Sequence, residues 1–149
     1  MDPLSRPMSA ALEIVSASPS DVEQLFVLAK ATFGDMGGWN DERVLGVMRR
    51  DDVFVARENE QPAGHVALQR DASAAAVVVE QLFVAPGHER RGVGRRLLAH
   101  AEGYAIAGGA AALRIVVEES NWRARRFYHD TGFVAVDAEL LELVLPHRL

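Results

Sequence analysis

Leu82-Phe83-Val84-Ala85-Pro86-Gly87-His88-Glu89-Arg90-Arg91-Gly92-Val93-Gly94-Arg95-Arg96-Leu97-Leu98 reads as an apolar strand, a basic glycine loop and the start of an amphipathic helix. A loop of this kind offers backbone N–H groups, the positive end of a helix dipole and several guanidinium groups to one anion. The composition suits a phosphate ester. Gly92 and Gly94 lack the third glycine of a dinucleotide fingerprint, and no Gly-Lys-Ser/Thr follows as a Walker loop requires. The phosphate-bearing ligand is therefore of another type.

Upstream, strands are predicted over Val53 to Arg57, Ala63 to Arg70 and Ala75 to Val84, joined by turn clusters at 58–62 and 71–73 as an antiparallel meander. Leu12 to Ser16 is a short strand. Ser18-Pro19-Ser20-Asp21 then reads as an N-cap, a proline at the first helical position and a first-turn acid. Val22, Leu25, Phe26, Ala29 and Phe33 keep helical spacing until Gly34, Gly37 and Gly38. Asn40 or Asp41 can cap a second helix carrying Val44, Leu45 and Met48 to about Arg50. Downstream, Leu97, Leu98, Ala101 and Ala105 mark a helix from Gly94 to Gly108-Gly109, and Leu113 to Val117 is a buried strand. Asn121 to Thr131 is helical with Gly132 as a left-handed cap, and Phe133 to Val136 and Leu140 to Leu145 close the sheet. This pattern is an α/β (α+β type) fold: a mixed, mainly antiparallel sheet flanked by about four helices. A flexible tail is expected at 1–10 and a single domain at 11–149.

The 149 residues carry a formal charge of -5 with 49% hydrophobic and 25% charged residues, as in a soluble globular protein. No apolar run is long enough to span a bilayer, and Met1 to Pro7 has no apolar signal-peptide region, so a cytoplasmic location is expected. The global charge disfavours nucleic acid or an anionic membrane as partner. Arg90, Arg91, Arg95 and Arg96 run against that sign, as a discrete anion site would; a solvated helix face is the plainer alternative. Cysteine is absent, which removes disulfides, thiolate metal sites and an acyl-cysteine intermediate. His65, His88, His100, His129 and His147 are scattered, and no metal site is expected.

Further on stands Asn121-Trp122-Arg123-Ala124-Arg125-Arg126-Phe127-Tyr128-His129-Asp130-Thr131-Gly132-Phe133. With the glycine loop it resembles the GNAT acetyltransferase superfamily, whose signature is strand, Arg/Gln-x-x-Gly-x-Gly/Ala, helix, strand, then Asn-x-x-Ala-x-x-Phe-Tyr-x-x-x-Gly-Phe. The resemblance covers roughly Glu80 to Phe133. It implies a GNAT-like acyl-CoA N-acyltransferase fold and acetyl-CoA as co-substrate. It further implies that Arg90, Arg91, Gly92, Val93, Gly94 and Arg95 hold the pyrophosphate, and that the backbone of Leu82, Phe83 and Val84 pairs with the pantetheine arm. The same resemblance implies that Asn121, Ala124 and Phe127 border the cofactor and that Tyr128 is the general acid toward the departing thiolate. Two positions depart from the pattern. Glu89 stands at the Arg/Gln position, and Val116 stands where the similar ribosomal-protein N-terminal acetyltransferases carry a glutamate.

Plainer readings stand beside these. The loop glycines can serve their own turn, Asn121 can act only as an N-cap, and Phe127 and Tyr128 can both be core aromatics. Acyl transfer needs a base for the amine; Glu80 is the choice by strand position, with Glu118 or Glu119 behind it, and a sheet-edge carboxylate is the alternative for Glu80. Phe33, Asp35, Met36 and Trp39 lie where relatives wall the acceptor pocket. The expected activity is acetyl transfer from acetyl-CoA to a primary amine in a ternary complex. A non-catalytic acyl-CoA-binding module on the same fold is the alternative, and a homodimer is left open.

Overall fold

The computed structural model describes residues 12–33, 46 and 52–146. The tail at 1–10, the helix expected at 40–50 apart from residue 46, His147 and the side chains of Phe33, Asp35, Met36 and Trp39 lie outside the described residues. Element order is β1 (Leu12–Ser16), α1 (Pro19–Phe33), β2 (Asp52–Glu58), β3 (Gln61–Asp71), β4 (Ala76–Val84), α2 (Val93–Ala107), β5 (Ala112–Val116), α3 (Trp122–Asp130), β6 (Val134–Ala135) and β7 (Leu140–Val144). The seven strands form one sheet in the order β1-β2-β3-β4-β5-β7-β6. The β1/β2, β5/β7 and β6/β7 pairs are antiparallel and the β4/β5 pair is parallel. This is the mixed, mainly antiparallel sheet expected; three α-helices are present among the described residues.

By its contacts the chain divides into two compact units, Met1–Ala67 with Gln81–Leu97, and Leu68–Glu80 with Leu98–Leu149. In the first, α1 is fixed at its start by a capping box. Asp21 N–H donates to Ser18 Oγ (3.1 Å), and the Asp21 carboxylate accepts from Ser18 N–H (2.9 Å). The same carboxylate pairs with Arg57 of β2 at 2.5 Å. Burial raises the Asp21 pKa, but the Ser18 and Arg57 hydrogen bonds outweigh it and hold the group below its ordinary value of 3.8. Leu25 and Ala29 of α1 pack with Val55, Phe83 and Ala85 in this unit's core. The β2–β3 hairpin turns on Asn59 and Glu60, both at positive φ (52° and 67°), as in a type I′ turn.

In the second unit β5 and β7 pair from Ala112↔Val144 to Val116↔Leu140, with Arg114 and Glu142 bonded across the ladder at 2.8 Å. Arg70 stacks its guanidinium 4.5 Å from the Tyr104 ring centroid beside Gly108, where an added Cβ would lie 1.8 Å from that guanidinium. Several boundaries depart from the sequence reading. The turn at 71–73 is a single 3₁₀ turn, Ala72–Ala74, bridged by Ser73 Oγ donating to Asp71 Oδ1 at 2.6 Å. Helix α2 starts at Val93 rather than Gly94, because Gly92 at φ +80° closes the loop and accepts the first helical bond, from Arg96 N–H. Strand β5 ends at Val116, helix α3 at Asp130, and β6 is trimmed to two residues.

Candidate active site

The glycine loop is built on the end of β4. Ala85 N–H donates to Ala63 O (2.8 Å), which ties the strand exit to β3, and His88 N–H then donates to Ala85 O (3.0 Å). Gly87 and Gly92 occupy φ +89° and +80°, and Arg90 holds φ +64°, a left-handed conformation seldom adopted by residues with a Cβ. Val93 and Gly94 follow as the first two residues of α2, so their N–H groups have no intrahelical acceptor and point along the positive end of the dipole. Arg90, Arg91, Arg95 and Arg96 are exposed around this terminus. Glu89 is folded back: its carboxylate accepts from Gly87 N–H at 3.0 Å, so the acid at the Arg/Gln position stitches the loop.

One loop anchor was missed by the sequence reading. Glu58, at the last position of β2, has a side chain only 8% exposed; it accepts from Arg91 at 3.0 Å and bonds His88 Nδ1 at 2.7 Å. In the sequence Glu58 falls in a turn cluster and His88 is one of five scattered histidines; partners thirty residues apart carry no local signal. Below the loop, Gly64 of β3 lies where an added Cβ would sit 2.3 Å from Phe83 O, so the β3 backbone approaches β4 too closely for a side chain. His65, fully buried, meets Gln81 Oε1 at 2.9 Å through Nε2 and packs 5.6 Å from the Phe83 ring. Its Nδ1 has no hydrogen-bond partner among the described residues.

On β4, Phe83 is buried in the core cluster, while Glu80, Leu82 and Val84 share the half-buried face. The β4/β5 register ends at Val78↔Arg114, and β4 runs six residues beyond it. In the second unit, Asn121 caps α3 by accepting from Ala124 N–H at 3.3 Å. Arg125 donates to Val117 O at 3.0 Å, which fixes the helix to the end of β5. Tyr128 is 5% exposed, edge-on to Phe127 (5.1 Å) and Phe133 (5.3 Å), with Phe127 half-buried beside it. Burial pushes the Tyr128 phenol well above its ordinary value, so it stays protonated at neutral pH. Val116 is exposed. Among the described residues no three His, Asp or Glu side chains gather as metal ligands.

A strand leading into a glycine loop at a helix N-terminus, followed by an asparagine-capped helix carrying Phe-Tyr, defines an N-acetyltransferase fold. The family model described as Acetyltransferase (GNAT) domain matches residues 39–147, and the chain belongs to that family. It is 34% identical over 92 residues to the uncharacterized N-acetyltransferase YhfO of Bacillus subtilis, covering 55% of this chain and 62% of that protein. It is 37% identical over 71 residues to the streptothricin acetyltransferase of Streptomyces lavendulae, covering 48% and 38% respectively. The chain thus spans less than two thirds of either relative's length. The crystal structure of the PaiA N-acetyltransferase from Thermoplasma acidophilum in complex with coenzyme A shares the fold. Its TM-score is 0.69 at 20% identity, over 89% of this chain and 98% of that one.

Proposed function

We propose that the protein transfers the acetyl group of acetyl-CoA to a primary amine by direct attack in a ternary complex. The observation that carries this reading is the α2 N-terminus: first-turn N–H groups behind a left-handed Gly92, ringed by exposed arginines, in a chain of the GNAT family. Arg90, Arg91 and Arg95 supply charge-assisted hydrogen bonds to a pyrophosphate, and Gly92, Val93 and Gly94 let the backbone come close to it. Leu82, Phe83 and Val84 offer strand-like backbone to the pantetheine arm, with Asn121, Ala124 and Phe127 bordering it.

The amine lone pair attacks the thioester carbonyl carbon, and the developing oxyanion is held by strand N–H groups near Val84. Glu80 takes the ammonium proton, directly or through water. When the C–S bond breaks, the protonated Tyr128 hydroxyl gives its proton to the leaving thiolate. The absence of cysteine is consistent with direct transfer rather than a thioester on the enzyme.

Thiol release from acetyl-CoA tests this across polyamines, amino acids, aminoglycosides, peptide amines and streptothricin, the last because one relative is named for it. The chain has no thiol of its own to add background. Release that depends on one acceptor class supports transfer. Tight acetyl-CoA binding with no release for any amine makes the protein a binding module.

A further inference from the structure

We propose that Glu58 is the positioning residue of the phosphate loop, and that it sets how strongly the enzyme prefers a thioester carrying a pyrophosphate. The inference rests on the loop being the acetyl-CoA site proposed above. Glu58 is a buried carboxylate, and both its oxygens are spent on the loop: Oε1 on His88 at 2.7 Å and Oε2 on Arg91 at 3.0 Å. The two tied residues bracket Glu89 and Arg90, and Arg90 holds the left-handed φ of +64° that a residue with a Cβ rarely keeps unless its surroundings enforce it. Gly92, the N-cap of α2, follows Arg91 directly. Fixing residues 88 and 91 therefore fixes the path by which the chain enters the helix and the direction in which its first N–H groups and Arg91 face. The neighbouring Arg57, on the opposite face of β2, ties down the start of α1 through Asp21. The end of β2 is thus clamped on both faces.

Charge alone argues the other way. A carboxylate near an anion site repels the ligand, and removing it would strengthen binding. Positioning wins if an unanchored loop scatters its donors among many conformations, so that binding must order them again. The sign of the effect separates the two.

The test compares kcat/KM for acetyl-CoA with that for acetyl-pantetheine, which carries the same thioester but no pyrophosphate. Wild type should prefer acetyl-CoA strongly. Glu58→Ala should cut that preference by about tenfold or more, through KM for acetyl-CoA. Glu58→Gln keeps the volume and one acceptor oxygen for Arg91, and should restore most of it. A merely structural role for Glu58 lowers both substrates alike and leaves the ratio unchanged, which would overturn the proposal, as would a rise in the ratio. If Glu58→Ala folds poorly, His88→Ala, at a partly exposed position, carries the same test with a several-fold drop expected and an unchanged ratio counting against. A wild type that uses both thioesters equally well would instead refute the loop as the pyrophosphate site.

Discussion

Replacing His65 with glutamine should change the way stability responds to acid. His65 lies fully buried on β3, and desolvation pulls its pKa from 6.5 down to about 4, against the opposing Gln81 hydrogen bond. The bond to Gln81 Oε1 assigns the proton of the neutral ring to Nε2. A second proton would have to sit on Nδ1, which has no acceptor among the described residues. Between pH 6.5 and about 4 the unfolded chain therefore binds a proton that the folded chain refuses. Stability contributed by the neutral ring is complete above pH 6.5 and falls by about 1.4 kcal/mol per pH unit below it. The loss reaches about 3 kcal/mol by pH 4 and is flat thereafter. His65→Gln can keep a donor toward Gln81 but cannot titrate. At pH 7 it should cost about 1–2 kcal/mol through lost packing on Phe83. The gap to wild type should close and then reverse as the pH falls to 4. Urea unfolding followed by circular dichroism at half-unit pH steps measures the difference, and the carboxylates common to both proteins cancel. Parallel stability curves for the two proteins would refute the buried neutral histidine.

Further outcomes follow from other contacts. Asp21→Asn should cost about 1–3 kcal/mol at pH 7, since it removes the negative charge that pairs with Arg57 and leaves only a neutral amide oxygen to accept from Ser18 N–H. Because the Asp21 pKa is depressed in the fold, that difference is present above about pH 3.8 and should shrink in unfolding experiments at lower pH. Glu60→Gly relieves a left-handed backbone in the β2–β3 turn and creates Asn-Gly; thermal unfolding should show stabilisation of about 0.5–1 kcal/mol. Tyr128→Phe keeps the ring between Phe127 and Phe133, so melting should barely move while turnover falls about 10²-fold or more. Near-normal turnover would make Tyr128 a core aromatic.

Much of the fold was legible because its signals are local. The Ser18-Pro19-Ser20-Asp21 cap places the start of α1, and Gly108-Gly109 and Gly132 end α2 and α3. Period-two alternation gives β4, whose half-buried face carries Glu80, Leu82 and Val84. On β3 the same reasoning is blind. Residues 63–68 are all buried, so alternation vanishes and His65 has nothing to mark it as a core group. The Glu58 anchor was hidden for a different reason: it joins residues thirty apart, and a glutamate in a turn-like Glu-Asn-Glu stretch looks solvated. Placing the helix start at Gly94 missed by one residue because both Gly92 and Gly94 suit a loop; only the positive φ of Gly92 separates them.

The proposed acetyl transfer requires the α2 N-terminus to hold the pyrophosphate of acetyl-CoA, and Gly94→Glu tests that directly. Gly94 is the second residue of the helix, where an acid suits the dipole and replacing glycine raises helix propensity, so the variant should melt no lower than wild type. A carboxylate there opposes a phosphate. Calorimetric titration with acetyl-CoA should show affinity reduced about 30-fold or more, corresponding to about 2 kcal/mol. Unchanged affinity in a folded Gly94→Glu protein would contradict the site.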